Sequence, residues 1–269
     1  MIHLYVVRHG QTVLNQLGRM QGWVDSFLTK QGREQAIATG QALKNKQFVL
    51  VCSSDLRRAQ DTAELISQQL IHQPALRRSF PEFREVNFGG LDATKIKPMW
   101  QEITDDTPYH GLNDILARAD FEKVREIMQD HDPLHTAESN EDVLARWQRG
   151  VKLINNTVES ANNTDANVLL VSHGTFIRTI AEHYGAKVAG NDHAPKNGSV
   201  TIFDIDGDQA SLKSYNQQLW LFIFNTINRS VSDRLGDFYL TQIFKRIIII
   251  TNFSKIFSKN IYTLYQTSQ

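Results

Sequence analysis

Two short apolar runs in this chain end in the same way, and the repetition restricts the folds open to it. Leu4-Tyr5-Val6-Val7 stops at Arg8-His9-Gly10, and Val168-Leu169-Leu170-Val171 stops at Ser172-His173-Gly174. Each run reads as a buried strand that delivers an imidazole at its carboxyl end. Segments of helical spacing lie between them, so the strands belong to a mostly parallel sheet wound with helices. In open sheets of that kind ligands gather at the carboxyl ends of the strands.

The rest of the chain can be placed around these two ends. Residues 11–29 carry no clear period and form an irregular loop over the first strand end. A helix over residues 31–46 turns Ala36, Ile37, Gly40 and Leu43 to one face, with Thr29 as its cap. Residues 48–52 form another buried strand, which passes through Ser53-Ser54-Asp55, three good cap formers, into a helix over about 56–70. Near Gly89-Gly90 a tight turn holds Glu85 beside a cleft.

Residues 93–139 form an insertion with weak helical periodicity over 112–128, read as a helical cap over the site. An amphipathic helix over 140–160 follows, with capping-box character at Glu138-Ser139-Asn140-Glu141. A strand over 197–205, a hairpin at Asp206-Gly207-Asp208 and a partner strand over 210–215 complete the domain. The expected fold class is α/β, a three-layer α/β/α sandwich with a mostly parallel central sheet. The domain spans residues 1–218. Residues 219–269 are a C-terminal extension of uncertain structure, marked by a shift toward Ile, Phe, Asn, Lys and Thr: either an appended segment or translation past a frameshift. Its apolar runs fall short of the ~18 residues that a membrane span requires.

Composition narrows the function. Lys and Arg number 29 and so do Asp and Glu, so net charge offers no general attraction for nucleic acid or membrane, and anion binding has to be local. A single cysteine, Cys52, excludes an internal disulfide and fits a reducing compartment. The start of the chain reads as a strand without signal-peptide character, so the expected location is cytoplasmic. His131 and His135 have the spacing of a metal pair, but Pro133 lies between them and no third ligand is evident, so no metal or cofactor is expected.

A basic pair, Arg57-Arg58, opens the helix after the second strand. Cations there oppose the helix dipole, so helix stability does not account for them, whereas a bound anion would. Two strand-end His-Gly pairs, one arginine pair and one turn glutamate make a constellation for phosphoryl chemistry. A neutral imidazole attacks phosphorus, guanidiniums hold the oxygens, and a carboxyl supplies the leaving group's proton. Cations beside the imidazole keep it neutral. Gly10 and Gly174 serve as turn glycines or let the phosphate approach the backbone. His3, His72, His110, His183 and His193 belong to no such pattern, and Cys52 reads as an inert core residue.

These pieces together resemble the histidine phosphatase superfamily, the phosphoglycerate mutase-like proteins. The resemblance rests on Arg8-His9-Gly10-Gln11-Thr12 with Asn15, Gln21-Gly22-Trp23, Leu28-Thr29-Lys30-Gln31-Gly32, and the run Ser53 to Ala63. Glu85 with Phe88-Gly89, and Ser172-His173-Gly174, complete it, and it extends over about residues 1–216. It implies that His9 becomes phosphorylated and that Glu85 is the proton donor, with Arg8, Arg58 and His173 catalytic. Substrate contacts fall to Arg8, Asn15, Gln21, Gly22, Arg58, His173 and Gly174.

The reaction expected is hydrolysis of a small-molecule phosphomonoester, with no nucleic-acid or membrane partner and the oligomeric state open. Cofactor-dependent phosphoglycerate mutation is the alternative, and an inactive phosphate-binding or regulatory module is a third. Mutases need further cations in the cap, whereas residues 93–139 are acidic on balance and hold no paired-arginine segment; Arg77-Arg78 is the nearest substitute.

Overall fold

Alternation along the first strand decides which side chains meet which layer. In β1 (Ile2–Arg8), Ile2, Leu4 and Val6 enter one core cluster while Tyr5 and Val7 enter another on the opposite face. Leu4 and Val7 are fully buried. Each such side chain is worth about 1.5–3 kcal/mol, so both faces of the strand demand cover. The computed structural model describes residues 1–161, 165–188 and 194–219. The chain divides between Trp220 and Leu221; the C-terminal unit, Leu221–Gln269, and with it nearly all of the expected extension, lies outside the described residues.

Six strands form one mixed sheet: β1, β2 (Leu50–Ser53), β3 (Leu76–Ser79), β4 (Ala166–Ser172), β5 (Val200–Asp206) and β6 (Gln209–Gln217), in the order β3-β2-β4-β1-β5-β6. The first four run parallel, with Arg8 opposite Ser172, and β5 and β6 are added antiparallel as a hairpin. Because β1 and β4 are parallel neighbours in register, His9 and His173 leave the sheet side by side.

Helices α2 (Lys30–Leu43) and α3 (Arg57–Ser67) cover the face that holds Tyr5 and Val7, contributing Leu43, Ala59, Ala63 and Ile66. The other face is covered by α7 (Asn140–Glu159) and α8 (Gly174–His183) through Trp147, Val151, Ile154, Phe176 and Ile180. The three-layer sandwich is the architecture read from the sequence. A short helix, α1 (Val13–Gln16), interrupts the loop over the strand end. The cap insertion holds three helices, α4 (Ile96–Glu102), α5 (Leu112–Arg118) and α6 (Phe121–Asp130), where one weak period was legible. The period breaks at Asp120, which caps α6 by accepting the amide of Lys123.

Several local expectations are revised. β3 went unread because Leu76-Arg77-Arg78-Ser79 is an edge strand whose arginines are exposed, so it has no buried alternation. Ser53-Ser54-Asp55 do not cap α3. The N-cap is Leu56, and the Arg57 amide donates instead to Asp25 Oδ2 at 2.6 Å, while Asp55 pairs with Arg84. The capping box of α7 closes between Ser139 and Asp142. Thr29 caps α2 as expected, accepting from Gly32. Asp132, at the acidic Asp132-Pro133 joint of the insertion, ties cap to core: its carboxylate accepts the amides of Gly90, Leu134, Thr136 and Ala137. Burial alone would raise its pKa, but these four donors hold it at about 2.

Candidate active site

β1 and β4 bring His9 and His173 to a ring-centroid separation of 5.2 Å, both almost wholly buried. His9 Nδ1 donates to the carbonyl of Gly10 at 2.8 Å, since a carbonyl can only accept; its Nε2 therefore carries a lone pair. Arg58 Nε donates to His173 Nδ1 at 3.2 Å, which leaves Nε2 of that ring as the N–H donor. Both imidazoles have pKa values well below the ordinary one, through burial first and then the charges of Arg58 and Arg8, to which His9 adds in the case of His173.

The arginine pair divides. Arg58 is buried, and its guanidinium is fixed by the carbonyls of Gly22 (2.7 Å) and Val24 (3.0 Å), Asp25 Oδ1 (3.0 Å) and His173. Arg57 is exposed, over the ring of Phe27 and beside Asp61, so only one member of the pair reaches the site. Arg8, the last residue of β1, donates from Nη1 to the Pro195 carbonyl at 2.5 Å and has a buried Nε without a hydrogen-bond partner. His173 Nε2 is likewise buried and unpartnered. Burial lowers the pKa of Arg8 and of Arg58, and the Glu85 charge opposes that for both.

Glu85 crosses to the first turn of α8. Its Oε1 accepts the amides of Phe176 (2.7 Å) and Val86 (2.9 Å) and its Oε2 that of Thr175 (3.0 Å), so the helix N-terminus orients the carboxylate. Arg146, which sequence reasoning passed over as part of an amphipathic helix, secures the segment behind it. It binds Glu138 through two nitrogens (2.6 and 2.8 Å) and reaches the carbonyls of Glu82, Arg84 and Glu85. The Trp23 indole donates to the Glu85 carbonyl at 2.9 Å. Arg77 and Arg78 take no part here: Arg77 pairs with Glu64 of α3, and Arg78 donates to the Arg77 carbonyl.

The glycines act by close packing. A Cβ on Gly10 would lie 2.2 Å from the Gly32 carbonyl oxygen, and one on Gly174 would lie 2.9 Å from the Arg8 guanidinium. The first admits α2 and the second admits Arg8, close approaches that leave no room for a side chain at either position. Asn15 and Gln21 belong to one polar network. Asn15 Oδ1 accepts the Thr12 amide, and Gln21 Oε1 accepts from Thr12 Oγ1 (2.5 Å) and Asn15 Nδ2 (3.4 Å). Asp92 fixes the loop beside them by accepting the amides of Gly22, Trp23 and Val24. Cys52 is buried in β2, its thiol pKa raised by burial. His131 is engaged by the Ile127 carbonyl and Asp106. His193 lies outside the described residues.

Paired strand-end imidazoles, two buried guanidiniums and one carboxyl at the end of an α/β sheet have the chemistry that phosphoryl transfer requires. The profile of the histidine phosphatase superfamily (branch 1) matches residues 4–218, and the chain belongs to that superfamily. It is 37% identical over 102 residues to a probable phosphoglycerate mutase of Erwinia tasmaniensis, a match covering 38% of this chain and 46% of that protein. It is 33% identical over 183 residues to the glucosyl-3-phosphoglycerate phosphatase of Mycobacterium tuberculosis, covering 66% and 73%. Among solved structures, phosphoglycerate mutase from Bacillus anthracis superposes with a TM-score of 0.71 at 30% identity, over 82% of this chain and 95% of that one. The homologues are thus phosphatases and phosphoglycerate mutase-like enzymes. Among the described residues no helix is long and apolar enough to cross a membrane.

Proposed function

We propose that the chain hydrolyses small-molecule phosphomonoesters through a phosphohistidine on His9. The observation that carries this reading is the state of His9: buried and held neutral beside Arg8 and Arg58, with Nδ1 tied to the Gly10 carbonyl and Nε2 left as the nucleophile. In the first half-reaction Nε2 bonds to phosphorus while the bond to the leaving oxygen breaks, and Glu85 gives that oxygen its proton. Arg8 Nε and His173 Nε2–H bind the equatorial oxygens, and Arg58 adds charge and fixes the His173 tautomer.

In the second half Glu85, now ionised, takes a proton from water as the oxygen attacks phosphorus. The phosphorus–nitrogen bond breaks and inorganic phosphate leaves. The three amides around Glu85 keep the group that cycles between acid and base in place. Asn15 is assigned as a neutral donor to phosphate, and Gln21, Gly22 and Gly174 shape the loop and helix end around it. Catalysis is assigned to residues 1–218, with 219–269 outside the domain, and the lone Cys52 supports a cytoplasmic location.

The second reading, a mutase, is favoured by the likeness to mutases in sequence and structure. Against it stands the acidic balance of the cap and the outward placement of Arg77 and Arg78. One experiment separates the readings. The protein is mixed briefly with a panel of phosphomonoesters that includes a phosphorylated sugar acid, and acid-labile phosphate on His9 is trapped while phosphate release is followed. Isomerisation driven by bisphosphoglycerate and faster than release would select the mutase. Absence of labelled His9 would select a binding module.

A further inference from the structure

Every backbone group from His9 to Gln11 is hydrogen-bonded, and the partners come from distant parts of the chain. The His9 amide donates to the Ser172 carbonyl at 2.9 Å, and the His9 carbonyl accepts from Asn197 Nδ2 at 2.9 Å. The Gly10 amide donates to Thr62 Oγ1 at 3.1 Å. The Gly10 carbonyl accepts from the His9 ring, and the Gln11 amide donates to Gln35 Oε1 at 2.9 Å. An N–H can be met only by the oxygen of the Gln35 amide, so chemistry fixes which way that side chain faces.

These bonds hold the two peptide planes of the turn differently. The plane between His9 and Gly10 is pinned at both edges by side chains other than the imidazole, Asn197 and Thr62. The plane between Gly10 and Gln11 is bonded at one edge to His9 Nδ1 itself and at the other to Gln35. Among the described residues, Gln35 is thus the side chain, besides the nucleophile's own, that sets the direction of the Gly10 carbonyl. It also acts on the strength of that carbonyl, because a peptide that donates through its N–H becomes a better acceptor at its oxygen.

Gln35 lies in the second turn of α2 and is partly buried. Two glycines bring it in. A side chain on Gly10 would collide with Gly32, and one on Gly32 would collide with the Gln11 carbonyl oxygen, so α2 descends directly onto this peptide. Its cap residue, Thr29, donates its amide to the same Gln11 carbonyl at 2.9 Å. One turn beyond Gln35, Thr39 Oγ1 donates to the Gly198 carbonyl at 2.7 Å, which ties the helix to the neighbouring loop as well.

We infer that Gln35 is a positioning residue for the nucleophile: it holds the Gly10 carbonyl where it captures the Nδ1 proton of His9, so that Nε2 keeps its lone pair. The inference deepens the phosphohistidine reading of His9 and rests on it. Gln35 acts through the peptide bond. Without its acceptor the plane is free to turn, and the ring gains access to the Nε2–H tautomer, which cannot attack phosphorus.

The tautomer is read by nitrogen NMR on the full-length protein carrying isotopically labelled histidine, with the His9 signals assigned by their absence in His9→Asn. The parent protein should show the proton on Nδ1. Gln35→Met matches glutamine in length but offers only a weak thioether acceptor, and should shift His9 toward Nε2–H. The single-turnover rate of His9 phosphorylation by p-nitrophenyl phosphate should fall roughly ten- to a hundredfold, the scale on which a histidine site loses function with its outer hydrogen-bond partner. Half-saturation should change by less than about threefold, because the phosphate-binding nitrogens are untouched. Gln35→Glu keeps an acceptor at the same reach and should restore tautomer and rate. Its negative charge favours the imidazolium, so the acid limb of its rate profile should move to higher pH. Thr39→Val cuts the other tie of α2 and should leave the tautomer as it is.

A parent protein with His9 already in the Nε2–H form would overturn the inference. So would an unchanged tautomer in Gln35→Met whatever its rate, or equal shifts in Gln35→Met and either Gln35→Glu or Thr39→Val, which would assign the effect to the seating of α2. If Gln35→Met does not fold, Gln35→Glu decides: a retained tautomer with a displaced acid limb supports the role, and a lost tautomer rejects it. A tautomer that shifts in Gln35→Met while the parent forms no phosphohistidine would sustain the positioning role and reject the phosphohistidine reading.

Discussion

Arg58 donates its Nε–H to Nδ1 of His173 across 3.2 Å, and this one bond sets the proton inventory of the site. A guanidinium cannot accept, so the neutral His173 ring carries its proton on Nε2, which is buried without a partner. The remaining nitrogens of Arg58 meet the Gly22 and Val24 carbonyls and Asp25, so one side chain holds a loop, a helix start and an imidazole together.

Arg58→Lys therefore keeps a positive charge and loses the geometry. A lysine ammonium is a point charge and cannot span His173, Gly22 and Val24 at once. Turnover of p-nitrophenyl phosphate should fall by about 10²–10³, the scale of losing an oriented transition-state donor. Retention of more than a tenth of the activity would show that charge alone suffices.

Arg146 acts on Glu85 from behind. Its bidentate bond to Glu138 is largely buried, and it also satisfies three carbonyls between Glu82 and Glu85. Arg146→Leu leaves Glu138 buried without its partner and should cost about 3–5 kcal/mol. Denaturant unfolding measures that cost, and kcat should fall more than KM changes. In the Arg146→Leu/Glu138→Leu double variant part of the stability should return, because the orphaned charge has gone, while kcat stays low.

The difference between these residues and His9 explains what a sequence can disclose. His9 and His173 stand directly after apolar strands, and Arg58 opens a helix where the dipole makes a cation anomalous, so each is conspicuous locally. Asp25, Asp92 and Arg146 bind backbone groups distant in the chain, as does Asp132 in its bond to Gly90, which leaves no local trace: Asp25 caps α3 from 32 residues away. Arg146 lies on an amphipathic helix, where a cation ordinarily faces water. β3 was missed for a related reason, since an edge strand need not alternate. The glycines were legible as sites of close approach, but their partners, Gly32 and Arg8, emerged only from packing.

Gly10 tests that packing. An alanine Cβ there would lie 2.2 Å from the Gly32 carbonyl oxygen, and backbone cannot rotate aside as a flexible side chain can. Gly10→Ala should therefore destabilise the protein by more than about 2 kcal/mol and pull α2 away from the strand end next to His9. Gly207→Ala is the comparison. At φ 57° it is strained, but nothing lies within 4 Å of the added carbon, so about 1 kcal/mol is expected. Equal losses in urea unfolding would contradict the close-approach account.

The buried imidazoles give stability a defined pH dependence. In the unfolded chain His9 and His173 bind protons near pH 6.5, whereas in the fold burial and the neighbouring arginines hold both pKa values well below that. Between the two values the unfolded state carries more protons, so stability rises with pH. Their contribution is complete above about pH 6.5 and is lost as pH falls toward the folded values. His131 acts in the opposite sense. Burial would lower its pKa, but the Ile127 carbonyl and Asp106 raise it, so its contribution is complete below 6.5 and is lost as pH rises through the folded value. Thermal midpoints at constant ionic strength should accordingly fall from pH 7 to pH 5. His9→Asn should flatten that slope, because one buried titrating ring is removed. His131→Asn should steepen it, because the opposing term is gone. A slope indifferent to His9→Asn would mean that the His9 pKa is the same in the folded and unfolded chain, so that the fold does not hold the ring neutral.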